Sequence, residues 1–494
     1  IHPLLKKLRS ELRIGFLDDL TLGGFVDVVA SDIDLIDKEA AAMGLKLNKS
    51  KCELISSVKT VNKSFAGFKI IPVNEMRLLG GAVMPGQEVT KVLHEKTEDL
   101  RRALPRLALL QAQDALTLLR YSLCIPKLMY TLRTSHCQSN PAVQEFDRVL
   151  RTGLSTILNV DLSGDQWLQA SLPVRDGGLG IRSAVMLAPS AFLASAAGTT
   201  ELQASILPPA LAIIPDASVV TALQAWSIQS QSTAPAGTAA HCQKNWDSAC
   251  TQRLKEELLG RARDPRDRAR LLASQAIHSA DWLFALPISA AGLRLSDEAV
   301  RVATGLRLGV KICEEHQCPC GATVDTLGTH GLSCRKSAGR QQRHSLINDI
   351  VWRSLTKAKI QAMKEPPGLT RIDGKRPDGV TLIPWSHGRC LAWDVTVPDT
   401  LAASHLDRTS VTAGAAAEYA AELKTVKYSE LITHYNFIPI AVETLGSWSD
   451  DALSFIKTLG KRLTEATGDS QETVYLLQNA ETFSCHPAMQ RCLL

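Results

Sequence analysis

The sequence has no apolar run approaching the ~18–20 residues that a membrane span needs, and no basic-then-apolar leader opens it. Both absences point to an intracellular protein. It also lacks a large charge of either sign. Lys and Arg total 55 against 50 Asp and Glu, a formal net charge of +5, so the overall field permits a polyanionic partner without demanding one. The densest basic cluster, Arg253, Lys255, Arg261, Arg263, Arg266, Arg268 and Arg270, is interleaved with Glu256, Glu257, Asp264 and Asp267, the pattern of a solvated helix face. A disulfide framework is missing too. Of 12 cysteines most are scattered singly, while four lie close together with histidines, which is a metal pattern. Residue 1 is Ile rather than Met, so the chain is expected to continue upstream.

What is present suits several folded units. Hydrophobic residues make up 45% and charged residues 21% of 494, a globular balance, and a prior of roughly 100–200 residues per domain gives about three or four units. Two acids between short apolar runs in Arg13–Gly24 predict a hairpin with the acids at its turn. Val26, Val29, Ala30, Ile33 and Ile36 recur at spacings of three and four, so a helix is expected from Phe25 to Gly44, with Gly44 as its C-cap. Helical patterns follow over 89–158 and 245–308, separated by the Gly-rich turn Asp176–Ile181 and a polar linker at 228–240. Beyond the cysteines the order becomes helix 340–357, strands near 360–365, 379–384 and 390–397, helix 411–431, strand 435–443 and helix 450–466, a small mixed sheet flanked by helices.

Carboxylates side by side at a hairpin tip suit Mg²⁺ and phosphate, although an ordinary polar turn has the same composition. Phe16-Leu-Asp18-Asp19 resembles the aromatic-x-Asp-Asp palm motif of reverse transcriptases, Gly44-Leu-Lys-Leu-Asn-Lys-Ser-Lys51 resembles the motif that follows it, and Leu78-Leu79-Gly80 resembles the primer grip. The resemblance covers roughly the first 200 residues. It implies Asp18 and Asp19 as catalytic metal ligands and Lys51 at nucleic acid. Two-metal transfer also needs a third carboxylate from an earlier palm strand, for which the residues before Asp18 leave no room. The 494-residue chain is therefore expected to incorporate no nucleotide on a primed template in Mg²⁺. Incorporation that disappears in Asp18→Ala would overturn this.

Cys318, Cys320, His330 and Cys334 offer three thiolates and one imidazole, a set that closes a tetrahedral zinc site. Gly321, Gly328 and Gly331 let the chain turn around an ion. Reduced, unliganded thiols are the plainer alternative, and Cys313 or His316 stands close enough to replace one ligand. The segment is similar to the Cys-Cys-His-Cys motif that precedes the restriction-like endonuclease of retrotransposons without long terminal repeats, although with its own spacing.

Pro377-Asp378 precedes one expected strand and Asp394 lies near the middle of the next, an arrangement that converges two carboxylates on one metal at a sheet edge. The restriction-type pattern puts Lys two residues after the second acid, where this chain has Thr396. The retrotransposon relatives place lysine on the next helix, and Lys424 and Lys427, three apart, share a helical face. Arg343-His344 and Asn348 resemble the family's Arg-His-Asn signature, whose implied work is positioning phosphate or supporting the sheet. Solvated turn acids would have the same spacing; the order of motifs carries the resemblance.

The fold expected is α+β: a partial palm at 1–89, a helical thumb at 90–227, the linker, a helical connector at 241–312, a zinc module at 313–336, an α/β restriction-endonuclease-like core at 337–470 and a tail at 471–494. The activity implied is Mg²⁺-dependent (or Mn²⁺-dependent) nicking of target DNA, with Asp378 and Asp394 as metal ligands, Lys424 or Lys427 assisting the water, and the nick priming reverse transcription of the element RNA. That activity would be nuclear when directed at chromosomal DNA. Two other classes fit the same residues. A catalytically dead nucleic-acid-binding relic would bind without nicking, and a host scaffold would show neither cleavage nor salt-dependent binding.

Overall fold

The computed structural model describes residues 2–17, 19–42, 44–57, 62–206, 216–370 and 374–484. The chain is α+β, helices with small sheets, and divides into two compact units. Among the described residues no helix is long and apolar enough to cross a membrane.

The first unit comprises residues 1–99, 126–147 and 184–250. Its hairpin pairs Leu12–Phe16 with Asp19–Gly23, and Phe16 opposite Asp19 closes a two-residue turn. Of the two expected acids, Asp19 opens the returning strand, while Asp18 lies outside the described residues. The helix Val26–Ala42 follows, and beyond it Gly44 has φ +74°. The apolar spacing shows its purpose here: Ile36 packs with Leu4, Leu8, Leu20 and Leu22, while Ala30 and Ile33 pack with Phe65. Leu79 and Gly80, at φ +50° and +81°, join the two-residue strands Arg77–Leu78 and Gly81–Ala82, as a tight primed turn requires. In the expected linker, Ala240 is buried in a cluster with Trp226 and Trp246.

The second unit comprises residues 100–125, 148–183 and 251–494. The expected helical region 245–308 holds three α-helices, Gln243–Arg261, Pro265–Ser274 and Asp297–Leu308, with turns and the short 3-10 helices Asp281–Leu283 and Ser289–Ala291 between the last two. Asp264 and Ser296 cap the second and third through side-chain bonds to backbone N–H groups. The Gly-rich turn is held by three buried arginines whose partners are mostly carbonyls. Arg307 donates to the carbonyls of Val174, Gly178 and Ser274 at 2.8–3.1 Å, Arg120 to those of Leu179 and Leu283, and Arg270 to Gln169 Oε1 at 2.7 Å. At Gly178 a Cβ would stand 2.0 Å from the Leu172 carbonyl oxygen, so only glycine fits.

The C-terminal part of this unit consists of α1 (Ala338–Lys357), β1 (Ala362–Lys364), β2 (Gly379–Ser386), β3 (Arg389–Thr396), α2 (Ala415–Lys427), β4 (Asn436–Ala441), α3 (Asp450–Thr467) and α4 (Glu472–Ser484). The sheet order is β4-β3-β2-β1, antiparallel except for the parallel β3–β4 pair. Leu391, Trp393 and Val395 of β3 enter a core with Ile347, Val351, Phe455, Ile456, Leu476 and Leu477. Alternation along the strand then sends Asp394 to the opposite face. The stretch from 471, expected as a tail, instead holds α4, because Leu476, Leu477 and Ala480 at helical spacing complete that core.

Candidate functional site

Two constellations in the second unit bring chemistry-bearing side chains together. In the first, Cys318, Cys320, His330 and Cys334 place their ligand atoms within 4.8 Å of one another. The Sγ atoms of Cys318 and Cys334 are 3.7 Å apart, and Cys320 Sγ is 3.1 Å from His330 Nε2. Tetrahedral zinc with Zn–S bonds of about 2.3 Å separates its sulfurs by about 3.8 Å, so the cluster could hold a metal such as zinc. A short hairpin, His316–Gln317 with Thr323–Val324, carries the first two ligands on its loop, where Gly321 adopts φ +91°. The four-residue helix His330–Ser333 brings the other two together, with Cys334 N–H donating to the His330 carbonyl.

The thiols are perturbed as sulfurs crowded around one point must be. The Ala322 N–H holds Cys320 below its ordinary value. Burial pushes Cys334 up, but the N–H of Lys336 and the Cys318 thiol outweigh it and leave it lowered. Cys318 gains from the Cys320 N–H, yet burial and the neighbouring sulfurs push it up to about 11. Three thiolates cannot share this volume without a cation. Neither alternative ligand joins them: Cys313 Sγ donates to the Asp325 carbonyl at 3.2 Å, and His316 Nδ1 is 2.8 Å from the Glu314 carbonyl.

In the second constellation, Asp378 sits at the entry to β2. Its N–H donates to the Trp393 carbonyl and its own carbonyl accepts from Glu365 N–H. These bonds hold the side chain over β3, where Oδ2 accepts from Val395 N–H at 2.6 Å and lies 3.1 Å from His344 Nε2. Asp394, 3% exposed, is enclosed by α2 and the turn after it. Lys424 Nζ donates to its Oδ2, and Tyr428 Oη lies 2.9 Å from its Oδ1. Burial pushes the Asp394 carboxyl up and Asp378 adds to the rise, while Lys424 and Tyr428 offset part of it. The hydrogen bond to Asp378 raises His344 above its usual value. Two carboxylates thus lie near enough to act on one another, partnered by an imidazole, an ammonium and a phenol.

The two lysines separate. Lys424 reaches the acid, whereas Lys427 Nζ reaches the Tyr428 hydroxyl at 2.7 Å and lies 4.3 Å from that ring's centroid. Tyr428 is the residue missed from the sequence. It is 1% exposed and its hydroxyl also lies 2.8 Å from the Arg376 carbonyl. The usable signal was its position four residues after Lys424, one turn along the same face.

Of the residues expected at nucleic acid, His344 alone joins the acids. Arg343 and Asn348 are corrected. Arg343 is 1% exposed and donates to the Leu332 carbonyl, between the third and fourth cysteine-cluster ligands. Asn348, also buried, accepts from the Trp393 indole at 2.8 Å through Oδ1. Burial removes both from any surface that phosphate could touch, and the sheet-supporting task falls to Asn348. Asn348→Ala is expected to lower resistance of the C-terminal sheet to urea by about 1–3 kcal/mol, because the indole N–H is left buried and unpaired. An unchanged urea midpoint would show that the bond contributes nothing net.

In the first unit, Asp19 and Lys51 are exposed, the former opening its strand and the latter in the turn Lys49–Lys51. No protein-family model and no curated protein matches the chain.

Proposed function

We propose that this chain is a retrotransposon-derived reverse transcriptase/endonuclease fragment whose C-terminal domain nicks DNA in a metal-dependent reaction. The observation that carries this reading is the meeting of Asp378 and Asp394 beside Lys424, Tyr428 and His344. Paired hard oxygen donors suit Mg²⁺ or Mn²⁺. Burial pushes Asp394 up and Asp378 adds to the rise, while the Lys424 ammonium offsets part of it, so a positive charge is already favoured at this carboxylate. Asp378 and Asp394 would hold the ion, which supplies charge neutralisation at the scissile phosphate and a more acidic water.

The chain's own residues then divide the remaining work. Lys424, whose ammonium stands at Asp394 Oδ2, would be within reach of the attacking water or the phosphate oxygens. Tyr428 stays at Asp394 Oδ1 and fixes the carboxylate's rotamer, and Lys427 holds the phenol. His344 orients Asp378 and can carry a proton at Nε2. In the intact element the nick would supply a 3′ hydroxyl for priming on element RNA, in the nucleus where chromosomal target DNA lies.

The test is conversion of supercoiled plasmid to open circles by the zinc-loaded chain in Mg²⁺, with binding measured in Ca²⁺ over a range of salt. Nicking with salt-sensitive binding is expected. Binding without nicking would favour the catalytically dead relic, and neither would leave a scaffold.

A further inference from the structure

The helix that delivers Lys424 and Tyr428 has no cap of its own. Gly414 precedes α2 at φ +81°, offers no side chain, and leaves the first-turn N–H groups to be satisfied from elsewhere. They are satisfied by Glu443, two residues beyond the end of β4. Its Oε1 accepts from Ala416 N–H at 2.9 Å and from Ala417 N–H at 3.3 Å. Glu443 is itself fixed to the strand that carries the acid: Ala441 is paired with Thr396, Val442 N–H donates to the Thr396 carbonyl, and Glu443 N–H donates to the Ser447 carbonyl at 2.8 Å. One rigid frame therefore holds both Asp394 and the cap of the helix that must meet it.

The packing of α2 makes that cap matter. Ala417 and Ala421 form a small cluster with Ala441, so the helix approaches the sheet closely but presents little apolar surface to resist sliding or rotation. Lys424 follows Ala416 by eight residues, about 12 Å along a helix axis, and a small tilt at the capped end moves its ammonium off Asp394. Glu443 is 0% exposed, and burial pushes its carboxyl up to about 7. The fold keeps an acid where a charge is costly.

We propose that Glu443 is a positioning residue of the acidic site: by capping α2 from the end of β4 it sets the register at which Lys424 and Tyr428 meet Asp394. The clamp follows from geometry alone, while its chemical consequence rests on the nuclease reading above.

The test uses Glu443→Gln, Glu443→Asp and Glu443→Ala in the zinc-loaded full chain, with two readouts. Amide hydrogen exchange over 415–428 reports on the clamp, and the turnover rate of plasmid nicking in Mg²⁺ at saturating DNA reports on positioning. Glutamine keeps an oxygen for the two N–H groups and should match the wild type in both. Aspartate keeps the charge but falls one methylene short, so it and alanine should speed exchange in α2 by about tenfold or more while α3 and β3 stay protected. The same two variants should lose about tenfold or more in turnover with DNA binding in Ca²⁺ unchanged. If alanine fails to fold, the aspartate and glutamine pair decides the matter. Unchanged exchange in the aspartate variant, a glutamine variant as impaired as aspartate, or loosened exchange with undiminished nicking would each overturn the proposal. A wild-type chain that never nicks, with α2 loosened in the aspartate variant but not in glutamine, would sink the nuclease reading and leave the clamp standing.

Discussion

Replacing either Asp378 or Asp394 by alanine is expected to reduce Mg²⁺-dependent nicking by about three orders of magnitude or more while leaving DNA affinity in Ca²⁺ largely intact. A divalent ion stabilises the developing charge by several kcal/mol, and each 1.4 kcal/mol is about tenfold in rate, so losing half of a two-carboxylate site should remove most of the acceleration. Affinity has a different origin. Affinity for a polyanion comes in general from several basic contacts to phosphates, and an acid supplies none of them. Asp394→Asn makes the sharper control, since it preserves the shape that Tyr428 and Lys424 surround and deletes only the charge. Lys424→Ala should also be strongly impaired, and Lys427→Ala less so, because Lys427 acts on the centre through the Tyr428 hydroxyl. Equal cleavage by wild type and both Asp variants, measured on the same plasmid, would dismiss the site.

The second large effect concerns the cysteine cluster. Metal analysis should return about one zinc per chain, and Cys318→Ser combined with Cys334→Ser should abolish it. Binding of structural zinc contributes about 10–16 kcal/mol in small domains, far more than the apolar contacts here, where only Val324 and the cysteines themselves form the buried cluster. Without the ion, the segment 313–336 should lose its fold and become sensitive to protease. The damage should spread to α1, since Arg343 is buried against the Leu332 carbonyl inside the cysteine-rich segment. A chain that keeps its zinc in the double variant, or that resists protease equally with and without chelator, would reject the assignment.

The order of elements around the acids was legible because it rests on local signals. The hairpin of Leu12–Phe16 with Asp19–Gly23, the helix Val26–Ala42 and the run from α1 to α3 follow from apolar spacing and turn residues, and they stand where expected to within a few residues. Cys318, Cys320, His330 and Cys334 were legible for a different reason: ligand chemistry restricts residue types more tightly than packing does. What escaped depends on contacts between distant segments. Tyr428 looks like one more amphipathic helix residue until α2 is laid across β3. Arg343 looks like a phosphate contact until the cysteine-rich segment covers it. Helix α4 was read as a tail because its few core residues make sense only against the sheet, and the break at 275–296 is dictated by partners such as Gln113, which donates to the Leu293 carbonyl and accepts from Leu295 N–H.

The arginines around the Gly-rich turn decide where this chain can be cut. Arg307 closes on Val174 across 133 residues and Arg120 on Leu283 across 163. Neither bond can form until synthesis has passed the later partner, and contacts of such long range make for slow closure. A fragment beginning at Thr251 would retain Arg270 and Arg307 but discard Gln169 and the carbonyls of Val174 and Gly178, stranding guanidinium groups at a cost of several kcal/mol. A boundary just ahead of Ile312 severs none of these bonds and keeps the Ile312 N–H on the Thr326 carbonyl, at the loss of the Arg268 bond to the Ser410 carbonyl.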